Sequence, residues 1–154
     1  ISKPVIGDEA NHLLRQSDDY MASLYPAESN HLVDSFALRG KGARFIGAFL
    51  DDVCAGCVGV RFFQDSPPYG EIKRLYVDPA YRGKAIASKL MAEIEQVTIA
   101  EGIAMVRLET GVLQKAAIGL YESLGYCHIQ PFGSYLDDPL SLFMEKHLVP
   151  SAPA

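Results

Sequence analysis

The fold is decided by the stretch from residue 71 to residue 91, which reads Glu71-Ile-Lys-Arg-Leu-Tyr-Val-Asp-Pro-Ala-Tyr-Arg-Gly-Lys-Ala-Ile-Ala-Ser-Lys-Leu-Met91. Its first part, from Ile72 to Val77, alternates and is rich in β-branched and aromatic residues, which indicates a strand. Asp78-Pro79 ends that strand, because proline fixes φ and has no N–H to donate. From residue 82 onward, small residues alternate with larger ones and open a helix. The stretch therefore predicts a strand, a tight turn and a helix start.

The predicted helix start is suited to binding an anion. The first turn of a helix leaves backbone N–H groups without partners and carries a partial positive charge. Small side chains let an anion approach these groups closely, and Arg82 and Lys84 add formal charge beside them. The stretch therefore predicts a cradle for a pyrophosphate group. The alternative is a strand–turn–helix whose small residues only pack against the sheet.

The composition is that of a globular domain without a basic surface. The chain has 154 residues, of which 49% are hydrophobic and 21% charged, and its formal net charge is −5. Such a charge argues against a nucleic-acid surface, which needs a basic excess. No apolar run approaches the roughly 20 residues that span a bilayer. We therefore expect one domain over residues 1–149, a disordered tail over residues 150–154 and a cytoplasmic protein.

The three cysteines do not form a disulfide framework or a metal motif. Cys54-Ala-Gly-Cys57 is a lone CxxC, and Cys127 is distant in sequence. A zinc site would need a second pair of ligands, and the four histidines have no metal-like spacing. Because the CxxC follows Asp51-Asp52 and leads into an apolar run, we predict ordinary cysteines in a β-hairpin and no bound metal.

Periodicity and chain breakers divide the whole sequence into eleven elements. We predict strands over residues 4–6, 43–50, 53–64, 69–77, 104–110, 126–129 and 140–145. We predict helices over residues 8–24, 83–101 and 114–124, with a weaker helical stretch over 27–38. The resulting order, β-α-α-β-β-β-α-β-α-β-β, is that of a mixed α/β fold in which crossover helices follow an antiparallel meander.

The segment Leu75-Tyr-Val-Asp-Pro-Ala-Tyr-Arg-Gly-Lys-Ala-Ile-Ala87 resembles the acetyl-CoA motif of the GNAT superfamily of N-acetyltransferases. That motif is Arg or Gln, two residues, Gly, one residue, then Gly or Ala. Arg82 and Ala87 match its ends, and Ala85 stands where the family usually has Gly. The extra methyl group would crowd the phosphate without forbidding helical φ/ψ, so we expect an effect on affinity more than on function.

The resemblance extends to the element order of nearly the whole chain and implies a GNAT-like fold. That fold has a central, mostly antiparallel sheet with helices on both faces. GNAT proteins bind the pantetheine arm of acetyl-CoA at a strand edge, and the strands at residues 75–77 and 108–110 would splay to admit it. Gln114 stands where many members have Asn. The implied cofactor-binding residues are Leu75, Tyr76, Val77, Arg82, Gly83, Lys84, Ala85, Ile86, Ala87, Ser88 and Gln114.

The segment from residue 108 to residue 126 resembles the second signature of the family, a Leu-Tyr pair followed after three residues by Gly and an aromatic residue. The resemblance gives Tyr121 the role of an acid that protonates the departing thiolate. It also assigns the oxyanion to the backbone around Val77. Without the resemblance, Tyr121 reads as an amphipathic core residue.

Glu71 matches the place where some family members carry a catalytic Glu. Strand alternation places Glu71, Lys73, Leu75 and Val77 on one face and the residues between them on the other. Glu71 then lies about 20 Å from the Val77 backbone, at roughly 3.3 Å per residue, which suggests a water relay. Two alternatives stay open: Glu71 is a solvated charge at a strand start, or Glu109 on the neighbouring strand is the base.

The resemblance implies an enzyme that transfers acetyl from acetyl-CoA to a primary amine of a small molecule or peptide. The amine would attack directly in a ternary complex, with no nucleic acid, membrane or metal involved. One alternative is a non-catalytic acetyl-CoA-binding module that acts on a partner protein, and another is a domain for a different phosphate ligand. We expect the acceptor site to be bounded by residues 25–31 and 132–138. Because dimers are frequent in the superfamily, a homodimer is also considered.

Overall fold

A computed structural model describes residues 2–5, 9–25, 38, 42–82 and 85–148. The helices in this part of the chain are α1 (Asn11–Leu24), α2 (Ile86–Ala100) and α3 (Lys115–Ser123). The strands are β1 (Ser2–Pro4), β2 (Ala43–Leu50), β3 (Val53–Phe63), β4 (Tyr69–Val77), β5 (Met105–Gly111), β6 (Cys127–Ile129) and β7 (Ser141–His147).

All seven predicted strands and the helices predicted over 8–24, 83–101 and 114–124 are present, and the bounds predicted for β2 and β4 are confirmed. The other described elements begin and end within three residues of their predicted bounds. The largest differences are at α1 and α2, each of which begins three residues later than expected. The weaker helical stretch over 27–38, apart from Leu38, lies outside the described residues, as do Gly83, Lys84 and the predicted tail.

The seven strands form one sheet in the order β1-β2-β3-β4-β5-β7-β6. All neighbouring strands are antiparallel except β4 and β5, which are parallel because α2 crosses from one to the other. Strand β7 lies between β5 and β6, so the last hairpin closes the sheet on its far side. The mixed α/β fold with a mostly antiparallel sheet is therefore confirmed.

The helices cover both faces of the sheet. Helices α2 and α3 pack on one face, where Leu90 and Tyr121 share a core with Val58 of β3. Helix α1 packs on the opposite face, where Leu13 joins a second core with Phe45 of β2. Each central strand is therefore buried on both sides, as the apolar character of both its faces indicates.

The CxxC lies in this packed hairpin. Both Cys54 and Cys57 are buried and form no disulfide. Burial raises the pKa of the Cys54 thiol to about 11 and that of Cys57 to about 12. Both thiols are therefore protonated at neutral pH and are poor nucleophiles or metal ligands. The prediction of ordinary strand cysteines is confirmed.

Strand β4 contains a bulge at Arg74, whose φ is +57°. Lys73 lies opposite Gly59 of β3, and Tyr76 lies opposite Cys57. Two residues of β4 therefore stand against one residue of β3 between these pairs.

The bulge changes which side chains share a face. Ile72 and Val77 both reach the core beneath α2 and α3, whereas Tyr76 packs with the core on the α1 face. The prediction that Val77 lies on the same face as Glu71 is therefore wrong, because strict alternation ends where the extra residue is inserted. After the bulge, each side chain of β4 therefore lies on the face opposite to the one that strict alternation predicts.

Strands β4 and β5 separate part of the way along their length. Their pairing covers only Gly70 to Ile72 of β4, opposite Val106 to Leu108 of β5. Beyond these pairs β4 stays bonded to β3 and β5 stays bonded to β7, so a gap opens in the middle of the sheet. The predicted splaying is confirmed, and we call this gap the split.

Gly111, at the end of β5, lies directly against the ring of Tyr25. The Tyr25 hydroxyl accepts a hydrogen bond of 2.9 Å from the Leu113 N–H. A Cβ added at Gly111 would lie 1.9 Å from that hydroxyl oxygen. The chain therefore needs glycine here to let the residue that follows α1 dock beside the split.

We expect Gly111→Ala to lower the free energy of unfolding by roughly 1–3 kcal/mol, because the ring must move and the Leu113 N–H then loses its partner. Gly119→Ala is the matched control, since nothing lies within 4 Å of its added Cβ. That control should raise the free energy of unfolding by about 0.5–1 kcal/mol, because Gly119 lies inside α3. Urea unfolding of both variants measures the contrast. Equal stability of the two variants would contradict the packing described here.

Candidate active site

A cleft of about 490 Å³ lies where the split meets the beginning of α2. We call it the outer cleft. Every described residue that the sequence analysis assigned to the cofactor lines it, and Gly83 and Lys84 lie outside the described residues. The lining residues of that set are Leu75, Tyr76, Val77, Arg82, Ala85, Ile86, Ala87, Ser88 and Gln114.

The outer cleft also has walls that the sequence analysis missed. Helix α1 contributes a wall that includes Tyr20 and Met21, and α3 contributes Leu120. The sequence signal in α1 is weak: its apolar positions, Met21 among them, fit a helical stripe imperfectly. A residue that faces a cleft is neither in the core nor fully solvated, so it disturbs the simple amphipathic pattern.

The first backbone N–H groups of α2 have no hydrogen-bond partner within the helix. The Ala85 carbonyl accepts a 3.1 Å hydrogen bond from the Lys89 N–H, and no side chain caps the helix. The N–H groups of Ile86, Ala87 and Ser88 precede this first bond and are free of helical acceptors. With the helix dipole they form an anion-binding terminus at the edge of the outer cleft.

Arg82 lies at the rim of this terminus. Its Nε donates a 3.3 Å hydrogen bond to the Val77 carbonyl, and its guanidinium lies 5.6 Å from the centre of the Tyr76 ring. These contacts hold a largely exposed cation beside the helix end. Arg82 therefore lines the outer cleft together with the first residues of α2.

Ala85 has a left-handed backbone, with φ +57° and ψ 25°. The expectation of a helical residue here is wrong, because the helix begins one residue later, at Ile86. A methyl group in this region clashes with the following carbonyl oxygen, which explains why glycine suits the position better. The cost of Ala85 is therefore backbone strain, in addition to any crowding of a ligand.

We expect Ala85→Gly to raise the free energy of unfolding by about 1 kcal/mol, because it relieves that strain. The control is Ala92→Gly at an exposed position inside α2, which should lower it by about 1 kcal/mol. Thermal unfolding monitored by circular dichroism compares the two. A loss of stability in Ala85→Gly as large as that in the control would show that Ala85 is unstrained.

A smaller pocket of about 70 Å³ lies deeper in the split, and we call it the inner pocket. It shares Leu75 and Gln114 with the outer cleft, so the two spaces meet between the separated strands. Glu109 of β5 and Tyr121 of α3 line it as well. The side-chain oxygen of Gln114 accepts a 2.9 Å hydrogen bond from the Gly111 N–H, which leaves its amide NH₂ group as the available donor.

Tyr121 is buried, with 7% of its surface exposed. No hydrogen bond to its hydroxyl is found within the described part of the chain. Burial, and secondarily the charge of Glu109, raises the pKa of the Tyr121 phenol well above its ordinary value. The phenol therefore stays protonated over the whole physiological pH range and can donate its proton within the inner pocket.

The Val77 N–H is directed into the split. The next residue, Asp78, donates its N–H to the Ala55 carbonyl of β3 at 2.8 Å. Successive N–H groups of a strand point to opposite sides, so the Val77 N–H points away from β3. A hydrogen-bond donor is thus available to an oxygen atom between the separated strands.

Glu71 lies outside both of these spaces. It is only 4% exposed, so the alternative of a solvated charge is wrong. Its carboxylate forms a 3.0 Å ion pair with Lys73 and accepts a 2.5 Å hydrogen bond from the Tyr135 hydroxyl. Lys73 also contacts the Tyr135 hydroxyl. Sequence analysis could not pair Glu71 with Tyr135, because the two residues are 64 positions apart.

The Glu71 carboxylate borders a third space of about 620 Å³, which we call the side cavity. Arg61 and Phe63 of β3 form one wall, and the connection from residue 134 to residue 139 forms another. Lys73 lines both the side cavity and the inner pocket, so the two spaces are adjacent. Glu109, the rival carboxylate, accepts a 2.7 Å hydrogen bond from the Ser141 hydroxyl.

Two further observations concern the part of the chain that the structure describes. There, no group of three or more His, Cys, Asp or Glu side chains is arranged to hold a metal ion. None of the helices described above has the length and apolar character needed to cross a membrane.

Comparisons with known proteins agree with this architecture. Residues 10–126 match the model of the acetyltransferase (GNAT) family. The chain is 43% identical over 141 residues to an IAA acetyltransferase of Azospirillum brasilense. The aligned region covers 92% of each protein. It is also 31% identical over 144 residues to YsnE, an uncharacterized N-acetyltransferase of Bacillus subtilis. That alignment covers 92% of this chain and 94% of YsnE.

A solved structure has the same fold. PaiA N-acetyltransferase from Thermoplasma acidophilum, determined in complex with coenzyme A, superposes with a TM-score of 0.74 at 21% identity. The match covers 96% of this chain and 98% of that one. The family match and the two relatives together establish that the chain belongs to the GNAT family of acetyltransferases, enzymes that depend on acetyl-CoA.

Proposed function

We propose that the chain transfers acetyl from acetyl-CoA to a primary amine of a small molecule or peptide, by direct attack in a ternary complex. The adjacency of the outer cleft and the inner pocket, which have four lining residues in common, carries this proposal. A diphosphate held at the start of α2 would leave a long arm free to enter the split, and Tyr121 lines the pocket at the inner end of that route.

The cofactor would be held mainly by backbone groups. The N–H groups of residues 86–88 bind the diphosphate, supported by Arg82 and, by the family pattern, by Gly83 and Lys84. Within the described residues, strand β4 has no partner on its β5 side after Ile72, so residues 75–77 can pair with the amides of the pantetheine arm. Gln114 donates its amide NH₂ group to the same arm.

Acetyl-CoA supplies the acetyl group as a thioester. As the amine nitrogen bonds to the carbonyl carbon, the Val77 N–H stabilises the negative charge that develops on the carbonyl oxygen. The C–S bond then breaks, and Tyr121 donates its proton to the departing sulfur. The attacking nitrogen releases a proton to solvent as the amide forms, and the phenol recovers one from solvent before the next turnover. Because the amine attacks the thioester directly, no covalent enzyme intermediate forms.

The amine must be neutral to attack, and Glu71 is the proposed base. Glu71 borders the side cavity rather than the inner pocket, so the proton would reach it through water, as the sequence analysis expected. Lys73 lines both the inner pocket and the side cavity, so the water molecules of this relay would pass beside Lys73. Glu109 lines the inner pocket itself and is the alternative base.

The proposal is tested by measuring release of free coenzyme A thiol from acetyl-CoA over a panel of primary amines. We expect release that depends on the amine and an acetylated product of matching mass. Cys127 is an exposed free thiol that a thiol reagent would also detect, so an enzyme blank or Cys127→Ser is the control. Coenzyme A binding by calorimetry without release on any amine would instead support a regulatory module that acts on a partner protein.

A further inference from the structure

The side cavity lies next to the inner pocket, where the proposed reaction takes place. Lys73 lines both spaces, and the inner pocket shares Ser17, Met21, Leu75 and Gln114 with the outer cleft. A thioester that enters from the outer cleft therefore leaves the side cavity as an approach for the other reactant. Its volume of about 620 Å³ is enough for a small molecule.

The side cavity contains a cation, Arg61, with no anionic partner among the residues that the structure describes. Arg61 and Glu71 are directly opposite each other on β3 and β4, where oppositely charged side chains commonly pair. Glu71 is instead bound to Lys73 and Tyr135. The Arg61 guanidinium lies 5.5 Å from the centre of the Phe63 ring, and it has no ion pair or hydrogen bond to any residue that the structure describes.

We infer that the side cavity binds the acceptor and that Arg61 selects an acceptor carrying a carboxylate as well as the reacting amine. This inference rests on the proposed acetyl transfer. A guanidinium is suited to two parallel hydrogen bonds with a carboxylate. Glu71, Asp137 and Asp138 add negative charge to the same cavity, which disfavours a doubly charged phosphate relative to a carboxylate.

The spacing of the side chains sets the scale of such an acceptor. Lys73, at the boundary with the inner pocket, is two residues beyond Glu71, the cross-strand neighbour of Arg61. Two residues of strand span about 7 Å. A small amino acid, with its amine directed toward Lys73 and its carboxylate on Arg61, fits between these points.

The test compares each acid with its neutral amide. The acceptors are the unbranched amino acids from glycine to 6-aminohexanoate and their primary carboxamides, assayed by release of coenzyme A thiol. We expect kcat/KM for the best acid to exceed that for its amide by about tenfold or more, because a charged hydrogen bond is lost in the amide. Arg61→Gln should bring this ratio near one by lowering the rate on the acid alone.

Two variants make the result specific to Arg61. Arg44→Gln removes a different arginine, which lies 5.7 Å from the Phe62 ring and pairs with Glu101, and it should leave the ratio unchanged. Arg61→Lys keeps the charge without the planar fork, and an intermediate ratio is expected. If Arg61→Gln does not fold, the acid-to-amide ratio of kcat/KM in Arg61→Lys still tests whether this position selects a carboxylate.

Each outcome decides a different point. Equal rates on acid and amide by the unmodified enzyme, or an unchanged ratio in Arg61→Gln, would overturn the assignment of Arg61 while leaving acetyl transfer intact. Faster transfer to phosphoethanolamine than to any amino acid would overturn the choice of a carboxylate. Binding of coenzyme A with no transfer to any amine would overturn the proposed function itself, and with it this inference.

Discussion

Tyr121→Phe is expected to lower kcat about 100-fold while leaving the affinity for coenzyme A unchanged. The phenol is the proposed proton donor to the departing sulfur, and general acid catalysis is commonly worth about 10²–10⁴-fold. Tyr121 lines the inner pocket but not the outer cleft, so its hydroxyl is not needed to bind the diphosphate. Steady-state kinetics together with calorimetry separate the two effects.

Tyr126→Phe is the matched control for this experiment. Its ring lies 5.8 Å from that of Tyr121, and its hydroxyl donates a 2.8 Å hydrogen bond to Glu95, away from the split. Its removal should affect stability and leave kcat within a few-fold. If Tyr121→Phe retained the full rate, the phenol would not be the acid.

The pH dependence gives a second test of the same residue. The pKa of Tyr121 is raised by burial, so its proton is retained above the range where an exposed tyrosine titrates. The acid form is therefore present at every pH up to about 10, the ordinary value for tyrosine. We expect no alkaline fall in kcat below that pH, whereas a fall near pH 8 would point to another acid.

Glu71→Gln is expected to lower kcat/KM about 100-fold at neutral pH, because the acceptor amine then loses its base. The deficit should shrink as the pH approaches the pKa of the amine, since a neutral amine needs no base. Glu109→Gln is the matched comparison, as it removes a similar carboxylate from the inner pocket. Rates of both variants between pH 6 and about pH 10 distinguish the two candidates.

A larger loss in Glu109→Gln than in Glu71→Gln would reverse the assignment. Glu71→Gln also leaves the partly buried Lys73 without its ion pair, so thermal unfolding must accompany the kinetics. A rate loss that persists at high pH would indicate damage to the site rather than loss of a base.

Much of the fold was predictable from local sequence. The alternation in β2 and β4 and the breaker at Asp78-Pro79 are local signals, and the family motif placed the cofactor residues beside them. The split was also predicted, because the resemblance implied it. All these features depend on residues that are close together in the chain.

The features that were missed depend on conformation or on distant partners. The bulge at Arg74 and the left-handed backbone at Ala85 are positions where ordinary residues adopt positive φ, which composition does not reveal. The contact of Tyr135 with Glu71 joins residues far apart in sequence. Because Glu71 is engaged by that contact, Arg61 has no ion pair within the described part of the chain, and this could not be predicted either.

The short pairing between β4 and β5 has a mechanical consequence. Four strands lie on one side of this junction and three on the other, and only three residue pairs join them through the sheet. A coenzyme arm that bonds to both exposed edges would cross-link the two half-sheets. The substrate would then complete the fold as well as react in it, so that the resistance of the protein to heat would depend on its supply of acetyl donor.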